Sequence, residues 1–187
     1  SKALNLLAKK LPADFENVIK LILQLEGHVI ISGVGKSGHI GRKISATLAS
    51  TGTPSHFVHA TEASHGDLGA LTKKDACLLI SNSGETSELA DLVSHTRRFS
   101  IPLISISSNL KSSLMSASDF KLCLPEAIEA CSIGLAPTTS TTMTLALGDA
   151  RAVTLMQERK FSPEHFKTLH PGGNLGAQVT KVKQLMH

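Results

Sequence analysis

The sequence contains few of the residues and runs that several classes of protein require. It has no Trp and no Tyr, so the aromatic side chains on which single-stranded bases stack are scarce. Its Lys and Arg residues occur singly or in pairs and the net charge is only +4, which does not indicate a nucleic-acid surface. No apolar run approaches the ~20 residues of a membrane-spanning helix. We therefore expect neither nucleic acid nor a membrane as a partner.

Cysteine is also scarce, and its spacing excludes two further kinds of site. Cys77, Cys123 and Cys131 are odd in number and show no C-x-x-C spacing, so they do not indicate a disulfide framework or a zinc site. The first two lie in apolar runs, where a thiol packs as a small core side chain. The N-terminal run SKALNLLAKKLP lacks the long apolar core of a secretory signal. A cytoplasmic location is the expectation.

Five short apolar runs alternate with helical patterns along the 187 residues. Continuous apolar stretches of this length are typical of strands buried on both faces. The predicted strands are 28–33, 55–59, 75–81, 102–107 and 119–124. Further predicted helices are 3–11, 13–26 and 138–158, the last opened by Pro137 in its first turn. Strand–helix alternation predicts one α/β domain over 1–187, a three-layer α/β/α sandwich around a five-stranded parallel sheet.

A glycine-rich loop, GVGKSGHIG at 33–41, follows the first predicted strand. It is not a Walker loop, because an isoleucine stands where that motif needs its first glycine. It matches G-x-G-x-x-G, but the second strand ends in HFVHA without the acidic residue that holds a ribose. A lysine beside helix N–H groups suits an anion or a developing oxyanion. We predict that Gly35, Lys36 and Ser37 contact substrate; the alternative is a solvated lysine in a loop whose glycines serve packing.

The loop after the third strand, ISNSGETSELADL at 80–92, is rich in hydroxyl groups. Orphan N–H donors and a partial positive charge at the following helix would favour a terminal phosphate. Ordinary capping by Asn82 or Ser83, with Glu85 completing a capping box, is the alternative. One cap explains one hydroxyl and not four, so we predict phosphate binding. The predicted phosphate ligands are Ser81, Asn82, Ser83 and Thr86, with Ser87 as the fourth hydroxyl of the group.

Six segments together carry a family resemblance. GKSGHIGRK, STGTPS, SHGDLG, SNSGETSE, GLAPTTSTT and HPGGNLG resemble the sugar-isomerase (SIS) domain family, from about Lys10 to the end. Three of these segments resemble the arabinose-5-phosphate isomerases within that family: GKSGHIGRK, GLAPT and HPGG. The resemblance implies a flavodoxin-like or Rossmann-like fold and reversible conversion of D-ribulose 5-phosphate to D-arabinose 5-phosphate, the first step toward Kdo in lipopolysaccharide synthesis.

The resemblance also implies partners. It implies a sugar-phosphate substrate, no cofactor, and a homotetramer with active sites shared between subunits. It further implies a nucleotide sugar, CMP-Kdo, as a feedback ligand. Such enzymes often continue into a pair of CBS modules, and this chain stops about where those would begin, at VKQLMH.

Aldose–ketose exchange needs a base for carbon, a proton shuttle for oxygen and a positive group for the enediolate. Glu129, in PEAIEACSIGLAPT, is the predicted carbon base, since burial beside apolar residues would raise its pKa. Lys36 could stabilise the enediolate. Glu88 is the weakest candidate: it would either turn away from the phosphate or meet a sugar hydroxyl.

Two histidines complete the predicted catalytic set. His65, in ASHGDLG, resembles the histidine that related isomerases use for ring opening or proton shuttling. His170 precedes Pro171-Gly172-Gly173, and the resemblance places it in a site completed by a neighbouring subunit. His59, Glu62 and His65 also form H-x-x-E-x-x-H, but residues three and six apart drift around a helix, so no metal is expected.

Three other functions remain open at this stage. A non-catalytic SIS module that senses a sugar phosphate would keep the serine loop but could dispense with the acid/base candidates. An isomerase for sedoheptulose 7-phosphate or hexulose 6-phosphate would differ only in the length of its pocket. A Rossmann oxidoreductase would bind a nicotinamide cofactor.

Overall fold

The computed structural model describes residues 1–171, which form five strands and eight α-helices. The strands are β1 Val29–Gly33, β2 Ser55–Phe57, β3 Ala76–Ile80, β4 Leu103–Ser107 and β5 Phe120–Cys123. The helices are α1 Lys2–Lys9, α2 Phe15–Gln24, α3 Gly35–Ser50, α4 Ala60–Ser64, α5 Ala90–Phe99, α6 Ser113–Ala117, α7 Thr139–Glu158 and α8 Pro163–Leu169. Of the predicted His170-Pro171-Gly172-Gly173 turn, the two glycines lie outside the described residues.

All five strands are parallel, in the order β2-β1-β3-β4-β5. Strands β1, β3 and β4 are buried along their whole length, as their continuous apolar sequences predict. The chain leaves β1 first to one side and then to the other, so the order reverses between β1 and β3. Such a switch point is where open α/β sheets bind ligands, beyond the carboxyl ends of the strands.

Two apolar clusters cover the two faces of the sheet, which confirms the predicted three layers. Alternate residues of a strand point to opposite faces, so Ile31 packs with α1, α2, α3 and α7, whereas Ile30 packs with α4, α5 and α6. Cys77 is fully buried in the second cluster, as predicted, and Cys123 is half-buried at the edge strand. Within residues 1–171, no helix combines the length and apolar content needed to cross a bilayer.

The start of α7 differs from its prediction. Thr138 is the N-cap residue and the helix begins at Thr139, so Pro137 precedes the cap and does not lie in the first turn. The cap residue makes no side-chain capping bond of its own, because the free N–H groups of the first turn are satisfied from elsewhere in the chain.

A buried charge on α7 predicts a stabilising substitution. The Arg151 side chain is almost fully buried, and its Nε and Nη2 have no hydrogen-bond partner within residues 1–171. Burial lowers the pKa of this guanidinium to about 10, because the charged form loses its hydration. We expect Arg151→Met to raise the free energy of unfolding by about 1–3 kcal/mol in urea denaturation, by replacing an uncompensated charge with apolar packing.

Arg159 is the matched control for that substitution. It is the exposed C-cap residue of the same helix, and its Nη2 donates to the carbonyl oxygen of Ile22 at 3.1 Å. Arg159→Met should therefore lower stability or leave it unchanged. A loss of stability in Arg151→Met would contradict the expectation and indicate that the guanidinium is compensated in the folded protein.

Candidate active site

The loops that follow β1 and β3 lie side by side at the switch point. Gly33, the last residue of β1, pairs with Ile80, the last residue of β3. The glycine-rich loop and the serine-rich loop therefore leave the sheet together. The two motifs, 33–41 and 80–92, are far apart in the sequence, and the parallel register alone brings them to one place.

The glycine-rich loop allows α3 to start very close to the sheet. Gly35 has φ +56 at the first position of the helix, a conformation that disfavours side chains. A Cβ at Gly38 would lie 2.6 Å from the carbonyl oxygen of Gly33, so only glycine permits this approach of helix to strand. These glycines therefore do serve helix–strand packing. The close approach places Lys36 and Ser37 at the carboxyl end of the sheet.

Two adjoining cavities form a cleft at this end of the sheet. One, of about 150 Å³, lies between the starts of α3 and α7 and is lined by Lys36, Ser37 and Thr141, among others. The second, of about 460 Å³, is lined by Ser108, by Glu126 and by residues near it. Asn82 and Ser140 line both cavities. This pair of cavities is called the cleft below.

Three of the four predicted hydroxyls form a connected group, which lines neither cavity of the cleft but belongs to the same loop as the cleft residue Asn82. The hydroxyl of Ser81 is hydrogen-bonded to that of Thr86 at 2.8 Å and lies 3.5 Å from that of Ser83. It also accepts from the backbone N–H of Gly84 at 2.9 Å. Gly84 has φ +72, and a Cβ there would lie 2.0 Å from Ser112 Oγ, so glycine is required for the loop to curl around these hydroxyls.

The alternative capping box does not form. Ser83 accepts from the N–H of Glu85 at 3.2 Å, but the Glu85 carboxylate accepts from the N–H of Ser113 at 2.8 Å. The backbone N–H and side chain of Ser113 hold the pKa of Glu85 below its usual range. The fourth hydroxyl, that of Ser87, donates to Glu88 Oε2 at 3.1 Å and is separate from the group.

The carbonyl of Asn82 anchors the serine-rich loop to the end of β4. It accepts from the hydroxyls of Ser107 and Ser108, each at 2.9 Å, and from the N–H of Ser108 at 3.1 Å. Three donors on one oxygen leave the Asn82 backbone little freedom. Its exposed side chain is consequently held at the cleft.

Glu129 is the partner that caps α7. Its Oε2 accepts from the backbone N–H groups of Thr138 at 2.8 Å and Thr139 at 2.7 Å. Further donors are the Ser140 N–H at 3.3 Å and the Thr138 hydroxyl at 3.1 Å. Its Oε1 accepts from the Ser140 hydroxyl. Since Ser140 lines both cavities of the cleft, the carboxylate lies directly behind the cleft wall.

The expected direction of the Glu129 pKa was wrong. Burial does raise the pKa of this carboxyl, but the hydrogen bonds from Ser140 and Thr138 outweigh it and hold the pKa at about 2. Donors aimed at a carboxylate favour its charged form, and the start of a helix supplies several at once. The apolar neighbours that suggested a raised pKa face outward instead: Ile128 is 88% exposed and Ile133 is 72% exposed.

Two predicted catalytic side chains are not brought to the cleft in this chain. His65 is exposed at the C-terminal cap of α4, and Glu88 is exposed in the short 3₁₀ turn Ser87–Leu89 before α5. Neither lines a cavity of the cleft. Nearby, His59 Nδ1 accepts from the N–H of Thr61 and caps α4. Among residues 1–171 no group of three or more His, Cys, Asp or Glu side chains could hold a metal ion.

His170 lies at the opposite end of the molecule. Helix α7 starts at the cleft and has 20 residues, so its C-terminus is about 30 Å away. Leu169 shares a cavity there with Gly52 and Arg159, residues just beyond or at the C-terminal ends of α3 and α7. His170 stacks on Phe166, with ring centroids 3.8 Å apart, and its Nδ1 lies 2.8 Å from the Phe166 carbonyl oxygen. It therefore cannot reach the cleft of its own chain.

A model described as the SIS domain matches residues 22–154. The chain belongs to the SIS domain family. Arabinose 5-phosphate isomerase KpsF of Escherichia coli O6:H1 is 51% identical over 188 residues, which cover 100% of this chain and 58% of that protein. Arabinose 5-phosphate isomerase KdsD of Pseudomonas aeruginosa is 48% identical over 186 residues, 99% of this chain and 57% of that protein. The SIS chain thus spans somewhat more than half the length of these curated relatives.

A solved structure is similar over most of the SIS chain as well. It is c3406 of E. coli CFT073 in complex with arabinose 5-phosphate. The TM-score is 0.88 and the sequence identity 44%, over 91% of this chain and 90% of that chain.

Sequence reasoning missed the contribution of α7 to the SIS cleft. Ser140, Thr141 and Thr144 line it, and Ser108 lines it from the end of β4. The available signal was the run of hydroxyl residues TTSTT at 138–142, at the predicted start of a helix after the last strand. Serine and threonine are poor helix formers, so several of them in the first turn of a helix indicate a polar surface there.

Proposed function

We propose that this SIS domain interconverts D-ribulose 5-phosphate and D-arabinose 5-phosphate through an enediol intermediate. The observation that carries the proposal is the connected hydroxyls of Ser81, Ser83 and Thr86, in a loop that reaches the cleft through Asn82, together with the Glu129 carboxylate behind the cleft residue Ser140. The names of the similar curated proteins and the ligand of the similar E. coli structure support the choice of sugar.

The phosphate of the substrate is proposed to bind at the serine-rich loop. The three hydroxyls and nearby backbone N–H groups offer donors without a cation, and Asn82 of the same loop lines the cleft. Gly35, Lys36 and Ser37 approach the same space from the neighbouring loop. Because the Lys36 ammonium is exposed at the cavity, it can meet the negative charge that develops on the enediolate.

The chemistry proposed for Glu129 is transfer of one proton between two carbons. The carboxylate takes a proton from C1 of the ketose, the C2 carbonyl becomes the oxyanion of the enediolate, and the proton returns to C2 as O1 becomes the aldehyde. The face of C2 that receives the proton decides between arabinose 5-phosphate and its epimer ribose 5-phosphate. A single carboxylate on one wall delivers the proton to one face.

The remaining predicted residues are proposed to act at the oxygens and from a neighbouring subunit. His65 opens the furanose ring or moves the O1/O2 proton, and Glu88 contacts a sugar hydroxyl. His170 is too far from its own cleft to take part there, which supports a site completed by a second copy of the chain. The loop that carries Glu129 also exposes Ile128, Ile133 and Leu135, at 88%, 72% and 76%, a surface that an oligomer would cover.

The homotetramer with shared sites is part of the same proposal, as is a place in the cytoplasm. By the family resemblance, arabinose 5-phosphate would go on to Kdo for lipopolysaccharide. A nucleotide sugar of that pathway, CMP-Kdo, is proposed as the feedback ligand, and no cofactor is required.

The test of the function is incubation with ribulose 5-phosphate and no added cofactor, followed by separation of the pentose phosphates. We expect arabinose 5-phosphate as the aldose product, with ribose 5-phosphate absent. Turnover of sedoheptulose 7-phosphate or hexulose 6-phosphate in its place would change the substrate but keep the reaction. Absence of any isomerisation at high protein concentration, with the sugar phosphate still bound in calorimetry, would indicate a sensor.

A further inference from the structure

The two oxygens of the Glu129 carboxylate are held in different ways. Oε2 accepts four hydrogen bonds, three of them from backbone N–H groups at the start of α7. Oε1 accepts one hydrogen bond within the described part of the chain, from the hydroxyl of Ser140. Freeing Oε2 would require breaking the first turn of the helix, whereas freeing Oε1 requires only that one side chain change its rotamer.

Ser140 is placed where a ligand could bring about that change. Ser140 is only 6% exposed, yet it lines both cavities of the cleft. A serine side chain has three staggered rotamers separated by a small barrier, and its hydroxyl can donate to a sugar oxygen as well as to a carboxylate. A polyhydroxylated ligand in the cleft therefore competes with Glu129 for the Ser140 hydroxyl.

The covered carboxylate is poorly suited to remove a proton from carbon. With its pKa held at about 2, it is a weaker base than an ordinary glutamate, and proton transfer slows as the basicity of the acceptor falls. Its hydrogen bonds also occupy the lone pairs of Oε2 and one of the two lone pairs of Oε1. Uncovering Oε1 corrects both, because the carboxylate loses a donor that stabilises its charge and gains a free lone pair.

We propose that Ser140 is a positioning residue for the isomerisation: its hydroxyl covers Oε1 of Glu129 in the free protein and turns away when substrate enters. Oε1 is then the atom that takes the proton from C1 and returns it to C2, while Oε2 stays bound to the helix and fixes the direction of the carboxylate. This inference rests on the proposed function, because it depends on Glu129 as the carbon base.

Charged groups around the Glu129 carboxylate do not account for its lowered pKa. Lys36 faces the cleft from α3, and Glu126 and Cys131 lie on the same loop as Glu129. Helix α7 carries no charged residue before Asp149, and no ion pair joins Glu129 to any residue in 1–171. Hydrogen bonds from Thr138, Thr139 and Ser140 therefore control this carboxyl group.

The first test measures the carboxyl group of the free protein directly. In protein labelled with ¹³C at the glutamate carboxyl carbon, the Glu129 signal is assigned by its loss in Glu129→Gln. In the wild type it should stay ionised to the lowest pH at which the fold persists. In Ser140→Ala its titration should move upward by roughly one to two pH units, the effect of removing one donor from a charged group.

Two variants control for changes in the helix itself. Ser140→Thr keeps a hydroxyl at the same position and should titrate close to the wild type. Thr142→Ala removes a hydroxyl from the same turn, one that donates to the Thr138 carbonyl at 2.8 Å and does not contact Glu129, and should leave the titration unmoved. Equal titration of Glu129 in the wild type and in Ser140→Ala would overturn the inference.

The second test compares the acid limbs of two kinetic profiles. The pH dependence of kcat/KM reports the free enzyme and that of kcat reports the complex. In the wild type we expect the limb of kcat at a higher pH than any Glu129 limb of kcat/KM, since the substrate uncovers Oε1. In Ser140→Ala the acid limb of kcat/KM should move to higher pH, until it coincides with the acid limb of kcat. The ionisation of the substrate phosphate is common to all variants and cancels in the comparison.

The possible failures are distinguishable. Limbs that keep the wild-type separation in Ser140→Ala, in an enzyme that turns over normally, overturn the role of Ser140 and leave the proposed function intact. A wild-type protein that does not isomerise ribulose 5-phosphate at all overturns the proposed function, and with it the assignment of Oε1 as the proton acceptor.

Discussion

Glu129→Gln is expected to lower kcat about 10³-fold, in the middle of the range for removing a general base, with little change in KM. The glutamine amide cannot accept the proton from carbon, whereas the phosphate and hydroxyl contacts are made by other residues. The measurement is the steady-state rate of conversion of ribulose 5-phosphate, together with calorimetric binding of the same sugar to the variant. Normal binding without turnover is the expected pair of results.

The fold of this variant should persist, for a structural reason. The amide oxygen of glutamine can take the place of Oε2 and accept the helix N–H groups. The amide NH₂ then faces the Ser140 hydroxyl, which can accept as well as donate. Glu126→Gln, an exposed carboxylate three residues earlier in the same loop, is the matched control and should have a far smaller effect. Near-normal turnover by Glu129→Gln would assign the carbon base to another residue.

Two variants that are strongly impaired alone should regain activity when they share an oligomer. Glu129 lies at the cleft, and His170 lies near the far end of α7 in the same chain, about 30 Å away. If each site takes Glu129 from one copy and His170 from another, Glu129→Gln and His170→Ala damage different halves of it. In a randomly mixed assembly about a quarter of the sites would contain both intact residues.

The experiment is co-expression of the two variants with different affinity tags and purification through both. We expect the mixed oligomer to recover a substantial part of wild-type kcat, while each variant passed through the same procedure alone remains inactive or, for His170→Ala, about 10²-fold reduced. A verified mixed oligomer with no recovered activity would contradict the shared site. Light scattering of the wild type gives the number of subunits.

The strands and the glycine-rich and serine-rich loops could be predicted from the sequence because their signals are local. Continuous apolar runs predict strands buried on both faces, and the structure has a strand within each of the five predicted runs. Glycine at positions 35 and 84, both with positive φ, marks the sharp turns that begin the two loops. The pairing of β1 with β3, which brings the two loops together, was not predicted and comes from the structure.

The environment of Glu129 could not be predicted in this way. Its neighbours in the sequence are apolar, which suggested a desolvated carboxyl group with a raised pKa, but its donors come from residues 9 to 11 positions later. The loop between them folds back so that the carboxylate meets the first turn of α7. Burial raises the pKa of Glu129 and hydrogen bonds lower it. The hydrogen bonds prevail only because the loop folds back onto α7.

By itself, the sequence determined the α/β class, the alternation of strands and helices, and the places of the glycine-rich and serine-rich loops after two strands, because apolar runs and glycines act over a few residues. Tertiary structure alone decided that Glu129 is a helix cap behind the cleft wall and that His170 lies out of its reach. Both depend on where distant segments meet in space, through the fold of one loop and the length of one helix. Those positions separate a carboxylate that is ready to react from one that must first be uncovered.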